Sequence, residues 1–251
     1  MKVNYQFCQM VFKYAVHQGY INRSPADVAV VGGKKNREVK YLNTEQIEQV
    51  LNYCRTYRIR RRENKDVYVG TPVMIEAAIL SGCRLGELSG LTWDNVDIKN
   101  CVFHIVRQLD VHTDKYDPNH PTYKFMDVKT KSSVRDVQIP KSLIEDMLKI
   151  RDKDDMLCFY TQRNHPMNSS ATSRYIHRMF KKLKIDAPNF HFHSFRHSHV
   201  ASLLSHDVDI YAISKRLGHK NIRTTLQIYS YLMKEKEDKE NAKIMKTLNS
   251  L

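Results

Sequence analysis

The sequence contains no Cys-x-x-Cys pair, no run of 18 apolar residues and too few carboxylates to balance its bases. The five cysteines, Cys8, Cys54, Cys83, Cys101 and Cys158, are odd in number and far apart. That excludes a disulfide framework and a cysteine-based zinc site, leaving reduced core thiols as the expectation. Without a long apolar run there is no bilayer-spanning helix, and the opening residues, MKVNYQFCQM, lack the unbroken apolar segment of a signal peptide. A soluble, intracellular, cytoplasmic protein is expected. The shortage of acid is marked: 27 Asp+Glu face 41 Lys+Arg, a net charge of +14 with histidines neutral. Gathered on one face, that excess favours a polyanion, nucleic acid first; spread evenly, it only aids solubility.

At 251 residues the chain can bury the core of one large domain, or of one domain plus part of another. Val3, Phe7, Val11, Tyr14 and Ala15 recur at helical spacing, and NRSP ends that helix because proline disfavours helical geometry in the residue before it. Residues 1–30 therefore read as the closing helix of a unit begun upstream. The charged, glycine-containing VGGKKNREVKY suggests a linker over residues 31–41, with a second domain over residues 42–232.

In that domain, Asn43 followed by Gln46 marks a helix start, and Ile47, Val50, Leu51 and Cys54 form its apolar stripe. PVMIEAAILS is an apolar helix closed by Gly82, and RLGELSGL begins a short one. VDIK, CVFHIVRQL and FMDVKTKSSVRDVQIP are β-prone, with TKSS as a turn between strand flanks, so a small antiparallel sheet is expected. Helical patterns return near residues 141–151, 169–183, 194–206, 209–217 and 222–232. The fold class is mostly α with a small antiparallel β-sheet (α+β). Residues 233–251 carry Ile244, Met245 and Leu248 among dense charge, a helix that needs a partner surface.

HFHSFRHSHV puts His193, Arg196 and His197 on one helical face. Such crowding suits either a metal site from His193 and His197 or an anion site from His193 and Arg196. The metal reading lacks the glutamate of His-Glu-x-x-His and a nearby acidic third ligand, whereas the anion reading fits the charge. Arginine's planar fork bonds two phosphate oxygens at once, so two converging arginines neutralise a phosphodiester without metal. Arg84 is the candidate second arginine, with Glu87 three residues on to hold its guanidinium. By itself, Arg-x-x-Glu is usually a surface helix pair.

Taken together and in order, SGCRLGELSGL, VKTKSSVRDVQIP, HFHSFRHSHVASLL and LGHKNIRTTLQIY resemble the tyrosine recombinase (phage integrase) family over roughly residues 41–232. FKYAVHQGYINRSPA is a looser match to the end of that family's core-binding domain. The resemblance implies the tyrosine recombinase catalytic-domain fold, with Arg84 and Arg196 as a phosphate clamp supported by Glu87. It makes Lys129 the acid that protonates the leaving 5′ oxygen and His193 an acid/base partner. His219 becomes a hydrogen-bond partner of the scissile phosphate and Tyr229 the nucleophile. Lys131 shares a strand face with Lys129, but KT followed by SSVR favours Lys129. Tyr229 and Tyr231 differ by about 200° around a helix, so one alone faces a given phosphate. Tyr229, ten residues after His219, holds the family's nucleophile register, and Tyr231 stands where many relatives have histidine.

The implied chemistry is site-specific recombination by two successive transesterifications through a 3′-phosphotyrosine, with no metal, cofactor or ATP. A phenol is a poor nucleophile at neutral pH, and two guanidiniums stabilise the charge that develops during its attack. The implied partners are double-stranded DNA, a homotetramer on synapsed DNA and an accessory DNA-bending protein, with the tail docking on a neighbouring protomer. Family members grip DNA between catalytic and core-binding domains, so so short an N-terminal segment implies an N-terminally truncated recombinase. Two alternatives stand beside this one. A type IB topoisomerase would nick and reseal a strand, and a catalytically silent DNA-binding regulator would explain the charge but not the aligned motifs.

Overall fold

A computed structural model describes residues 2–27, 39–57, 59–60, 66–67, 69–110, 124–128, 131–151, 156–160, 166–223, 225–226, 229, 245 and 247–249. Two units divide the chain, Met1–Glu38 and Val39–Leu251. The first consists of helix α1 (Lys2–His17) and a 3-10 turn, Pro25–Asp27. The Tyr5 hydroxyl donates to the Ala26 carbonyl at 2.7 Å and ties that turn to the helix. On α1, Phe7, Met10 and Tyr14 remain more than 60% exposed.

The second unit is built around α3 (Gly70–Ser81), which is buried from Thr71 to Ile79 and packs against α2 (Thr44–Thr56), α5 (Lys141–Ile150) and α7 (Phe192–Ser205). A helix covered on all sides needs apolar residues all round, as PVMIEAAILS supplies. Its buried Glu76 accepts from Arg55 Nε at 2.7 Å. Helix α2 starts where Asn43 and Gln46 exchange side-chain-to-backbone bonds of 2.8 and 3.1 Å, the capping box expected from their spacing. Between α3 and α5 lies the short α4 (Leu85–Ser89), and α6 (Ser169–Leu183) and α8 (Ile210–Leu217) complete the named helices. Helix α7 begins two residues earlier than its periodicity suggests, because His191 and Ser194 cap it reciprocally.

Among the described residues the strands form three antiparallel groups. β1 (Ile59–Arg60) pairs with β2 (Asp66–Val67). β3 (Val96–Asp97), β4 (Val102–Ile105) and β7 (Arg135–Gln138) form a three-stranded sheet, with Phe103 opposite Val137. β5 (Arg107–Leu109) pairs with β6 (Phe125–Asp127). The β-prone stretches divide in two places. CVFHIVRQL is not one strand: it breaks at Val106, which is 42% exposed. The flanks of TKSS do not pair with each other either, since β6 joins β5 and β7 joins β4 across a 3-10 turn at Lys131–Ser133. β5 packs instead on α4, an approach that Gly90 permits, since a Cβ there would be 2.6 Å from the Leu109 nitrogen.

Phe103, Val137, Leu143, Met147, Ile176 and Phe195 join α3 in the main core. A second cluster gathers Val200, Leu204, Ile213, Leu217 and Tyr229. Residues 222, 223, 225, 226 and 229 are helical. Among the described residues, no helix is long and apolar enough to cross a membrane.

Candidate active site

Gly82 ends α3 at φ 69°, a left-handed conformation, and a Cβ there would lie 2.6 Å from His199 Cδ2. The chain then turns into Arg84, the residue that caps α4. Glu87, 1% exposed, accepts from the Arg84 backbone nitrogen at 2.8 Å and from Arg84 Nη1 at 2.7 Å. Its carboxylate also accepts from Arg135 Nη1 at 3.1 Å and Nη2 at 3.0 Å. Burial alone would raise the Glu87 pKa; the hydrogen bonds and charge of Arg135, with the charge of Arg84, prevail and hold it at about 2.

Arg135 was not singled out by sequence, yet it joins three parts of the site. Besides Glu87, its Nε donates to the Arg216 carbonyl at 2.7 Å and its Nη1 to the Ser133 carbonyl at 3.0 Å. The available signal was strand parity. Arg135 lies two residues before Val137, which is fully buried, so it shares the inward face of β7 and needs a buried partner.

Arg196, on α7, is 3% exposed. Its Nη1 donates to the Gly82 carbonyl at 2.8 Å, and its Nη2 to the Leu217 carbonyl at 2.8 Å and His219 Nε2 at 2.9 Å. Those carbonyls stand at the C-terminal ends of α3 and α8, where acceptors are free and the helix dipole is negative. Burial, and then the charge of Arg84, lower its pKa to about 10, still cationic at neutral pH.

Gly218 caps α8 at φ 67° and delivers His219 to this spot. Because Arg196 donates to Nε2, the proton sits on Nδ1, which donates to Thr225 Oγ1 at 2.7 Å. Burial, and then the charges of Arg196, Arg84 and Arg135, bring its pKa to about 4. His193 is one turn ahead of His197 on α7, their ring centroids 5.0 Å apart. Protein packing and its cationic neighbours lower its pKa, an effect that solvent weakens because the residue is exposed at the rim.

Tyr229 is 1% exposed, and its hydroxyl lies 2.6 Å from His197 Nδ1. Burial raises the phenol's pKa, against the opposing charge of Arg196. For His197, burial and then Arg196 lower the pKa to about 4, so the neutral ring accepts from the phenol. Of the residues singled out by sequence, Arg84, Glu87, His193, Arg196, His219 and Tyr229 thus fall within reach of one another's bonds or charges. Lys129 and Tyr231 lie outside the described residues, as does the side chain of Lys131. The turn Lys131–Ser133 abuts α8, since a Cβ on Gly218 would lie 3.0 Å from the Ser132 carbonyl oxygen. His197, which the sequence offers only as a metal ligand with His193, is the hydrogen-bond partner of Tyr229.

Three guanidiniums, those of Arg84, Arg135 and Arg196, act on the carboxylate of Glu87, and that of Arg216 feels the charge of Arg135. Arg135 and Arg216 are spent on protein acceptors, whereas the Arg84 side chain is 30% exposed. A cavity of about 520 Å³, lined in part by Lys215, His219 and Lys220, opens beside them. Arrangements of this kind bind phosphate: the arginines supply paired donors, and their excess charge stabilises an anionic transition state.

Known proteins resemble this chain in sequence and in fold. The profile of the Phage integrase family matches residues 40–236. A tyrosine recombinase XerC-like protein of Caldanaerobacter subterraneus subsp. tengcongensis is 25% identical over 98% of this chain and 64% of its own length. The ICEBs1 integrase of Bacillus subtilis is 26% identical over 90% of this chain and 60% of its own. The chain thus spans less than two thirds of these relatives. Among solved structures, the Tn1549 transposon integrase in complex with a circular intermediate DNA superimposes with TM-score 0.69 at 21% identity, covering 91% of this chain and 73% of that one. The XerH recombinase bound to its difH substrate gives TM-score 0.61 at 18% identity, covering 91% and 60%. These structural likenesses establish the fold.

Proposed function

Since the chain belongs to the phage integrase family, we propose that it cleaves and rejoins double-stranded DNA at specific sites through a 3′-phosphotyrosine. One observation carries this reading: the phenol of Tyr229 is held beside Arg196, whose guanidinium already bonds His219 and feels the charge of Arg84. Tyr229 Oη attacks the scissile phosphorus. Arg84 and Arg196 take up the charge on the non-bridging oxygens, Glu87 and Arg135 keep Arg84 in place, and His219 adds a hydrogen bond once Arg196 turns to the phosphate and leaves Nε2 free to take up a proton and donate it. His193, at the exposed rim, serves as an acid/base partner. Lys129 protonates the departing 5′ oxygen. A second 5′ hydroxyl then reverses the attack, so phosphodiester energy is conserved without ATP.

A homotetramer on synapsed DNA completes the reading, with the tail docking on a neighbouring protomer. The exposure of Met245 and Leu248, both 55%, supports a docking role for that segment. The test begins by selecting, from nicked duplexes of randomised sequence, those the unaltered chain captures covalently. On these, Tyr229→Phe abolishes the adduct and retains DNA binding, whereas Tyr231→Phe still forms it. Adduct persisting in Tyr229→Phe overturns the nucleophile assignment, and a chain that captures no duplex overturns the recombinase reading. Supercoil relaxation without joining of two DNA molecules would favour a type IB topoisomerase instead.

A further inference from the structure

The function described above leaves His197, the hydrogen-bond partner of the nucleophile among the described residues, without a task. We propose that His197 is a catalytic residue, the base that receives the Tyr229 proton as the phenolic oxygen attacks phosphorus. This rests on the recombinase reading and deepens it. The hydroxyl-to-Nδ1 distance is 2.6 Å, within the range required of a general base. The two rings meet edge to face, with centroids 5.7 Å apart. His197 immediately follows Arg196 on α7, so one rigid helix carries both the base and a phosphate ligand.

The surroundings of Tyr229 make a local base necessary. At 1% exposure, in a cluster of Val200, Leu204, Ile213 and Leu217, the hydroxyl has little access to solvent for its proton. A free phenolate there is costly, so proton loss has to accompany attack. The other two histidines of the site are worse placed. His219 has Nε2 bonded to Arg196 and Nδ1 to Thr225, and His193 stands at the exposed rim. In the free protein burial, and then the charge of Arg196, oppose protonation of His197. A phosphate bound by Arg196 neutralises that charge and removes the second of these, so the base strengthens when DNA occupies the site.

The step balances. The Oη–P bond forms as the Oη proton passes to Nδ1, and the P–O5′ bond breaks as the 5′ oxygen takes a proton from the acid. The imidazolium stays beside the phosphotyrosine and returns its proton when the strand is rejoined.

His197→Asn tests the idea, because the carboxamide oxygen can accept the phenol's hydrogen bond but not its proton. On the captured duplexes, with DNA affinity unchanged, adduct formation should slow by about 10²–10⁴-fold, the range of general-base catalysis. A duplex whose 5′ bridging oxygen is replaced by sulfur needs no acid for the leaving group. It should restore Lys129→Ala and leave His197→Asn slow. If the Asn variant folds poorly, His197→Ala with added imidazole replaces it, and recovery of rate with imidazole is expected. Unslowed adduct formation overturns the proposal, as does rescue of His197→Asn by the sulfur substrate. Faster adduct formation would make His197 a latch on the nucleophile and overturn it too. Failure of the unaltered chain in the initial selection falls on the recombinase reading; a change confined to the variants falls on the proton transfer.

Discussion

At the scale of single residues, His199 shows how a buried histidine can hold the site without entering its chemistry. It is 6% exposed, its Nδ1–H donates to the Ile79 carbonyl at 2.7 Å, and its Nε2 accepts from Arg216 Nε at 3.1 Å. Protonation would destroy that acceptor, and burial, then the charge of Arg216, bring the pKa down to about 3. The unfolded chain binds the proton near pH 6.5 and the folded one does not. The folded pKa is the lower, so the neutral ring's contribution is complete above about pH 6.5 and falls away toward pH 3. Between pH 7.5 and pH 5 the loss is about 2 kcal/mol. Urea unfolding at the two pH values measures it, and His199→Gln should reduce the pH dependence by a similar amount; an unchanged dependence contradicts the account. None of this was legible in HFHSFRHSHV. Arg84, Glu87, Arg196, His219 and Tyr229 were readable because each belongs to a local motif. The roles of Arg135, His197 and His199 are created by partners 48, 32 and 120 residues away.

At the scale of elements, the two glycine caps bring the ends of α3 and α8 together around Arg196. Both residues have positive φ, so alanine at either costs about 1–2 kcal/mol in backbone strain. Their surroundings then separate them. A Cβ on Gly82 meets the ring of His199 at 2.6 Å, and that ring is fixed through both nitrogens; on Gly218 the nearest atom is the Ser132 oxygen at 3.0 Å. Overpacking adds about 1–3 kcal/mol at Gly82. Gly82→Ala should therefore lower denaturant stability more than Gly218→Ala, and the reverse order in unfolding midpoints would refute this. The helices were legible because their caps and stripes are local, as Asn43 with Gln46 illustrates. The division of the strands was not, because β4 and β5 take different partners, β7 and β6, beyond the reach of periodicity within CVFHIVRQL.

At the scale of the whole chain, charge and unit division make a joint prediction. The boundary between the units falls after residue 38 of the sequence, and residues 1–38 hold six Lys or Arg against two Asp or Glu. Residues 39–251 have their own main core and the satellite cluster that packs Tyr229, so they should fold and form the covalent adduct alone. DNA affinity is a separate quantity. If the proposed grip on DNA uses both units, residues 1–38 add phosphate contacts, and each contact steepens the dependence of log K on log salt by about 0.9. Removing residues 1–38 should weaken binding and flatten the salt slope by at least one such step, while the unfolding transition of the remaining unit persists. Salt titrations of both chains on one captured duplex make the comparison. Equal affinities and slopes would mean that residues 1–38 touch no phosphate and that the grip belongs to the catalytic unit alone.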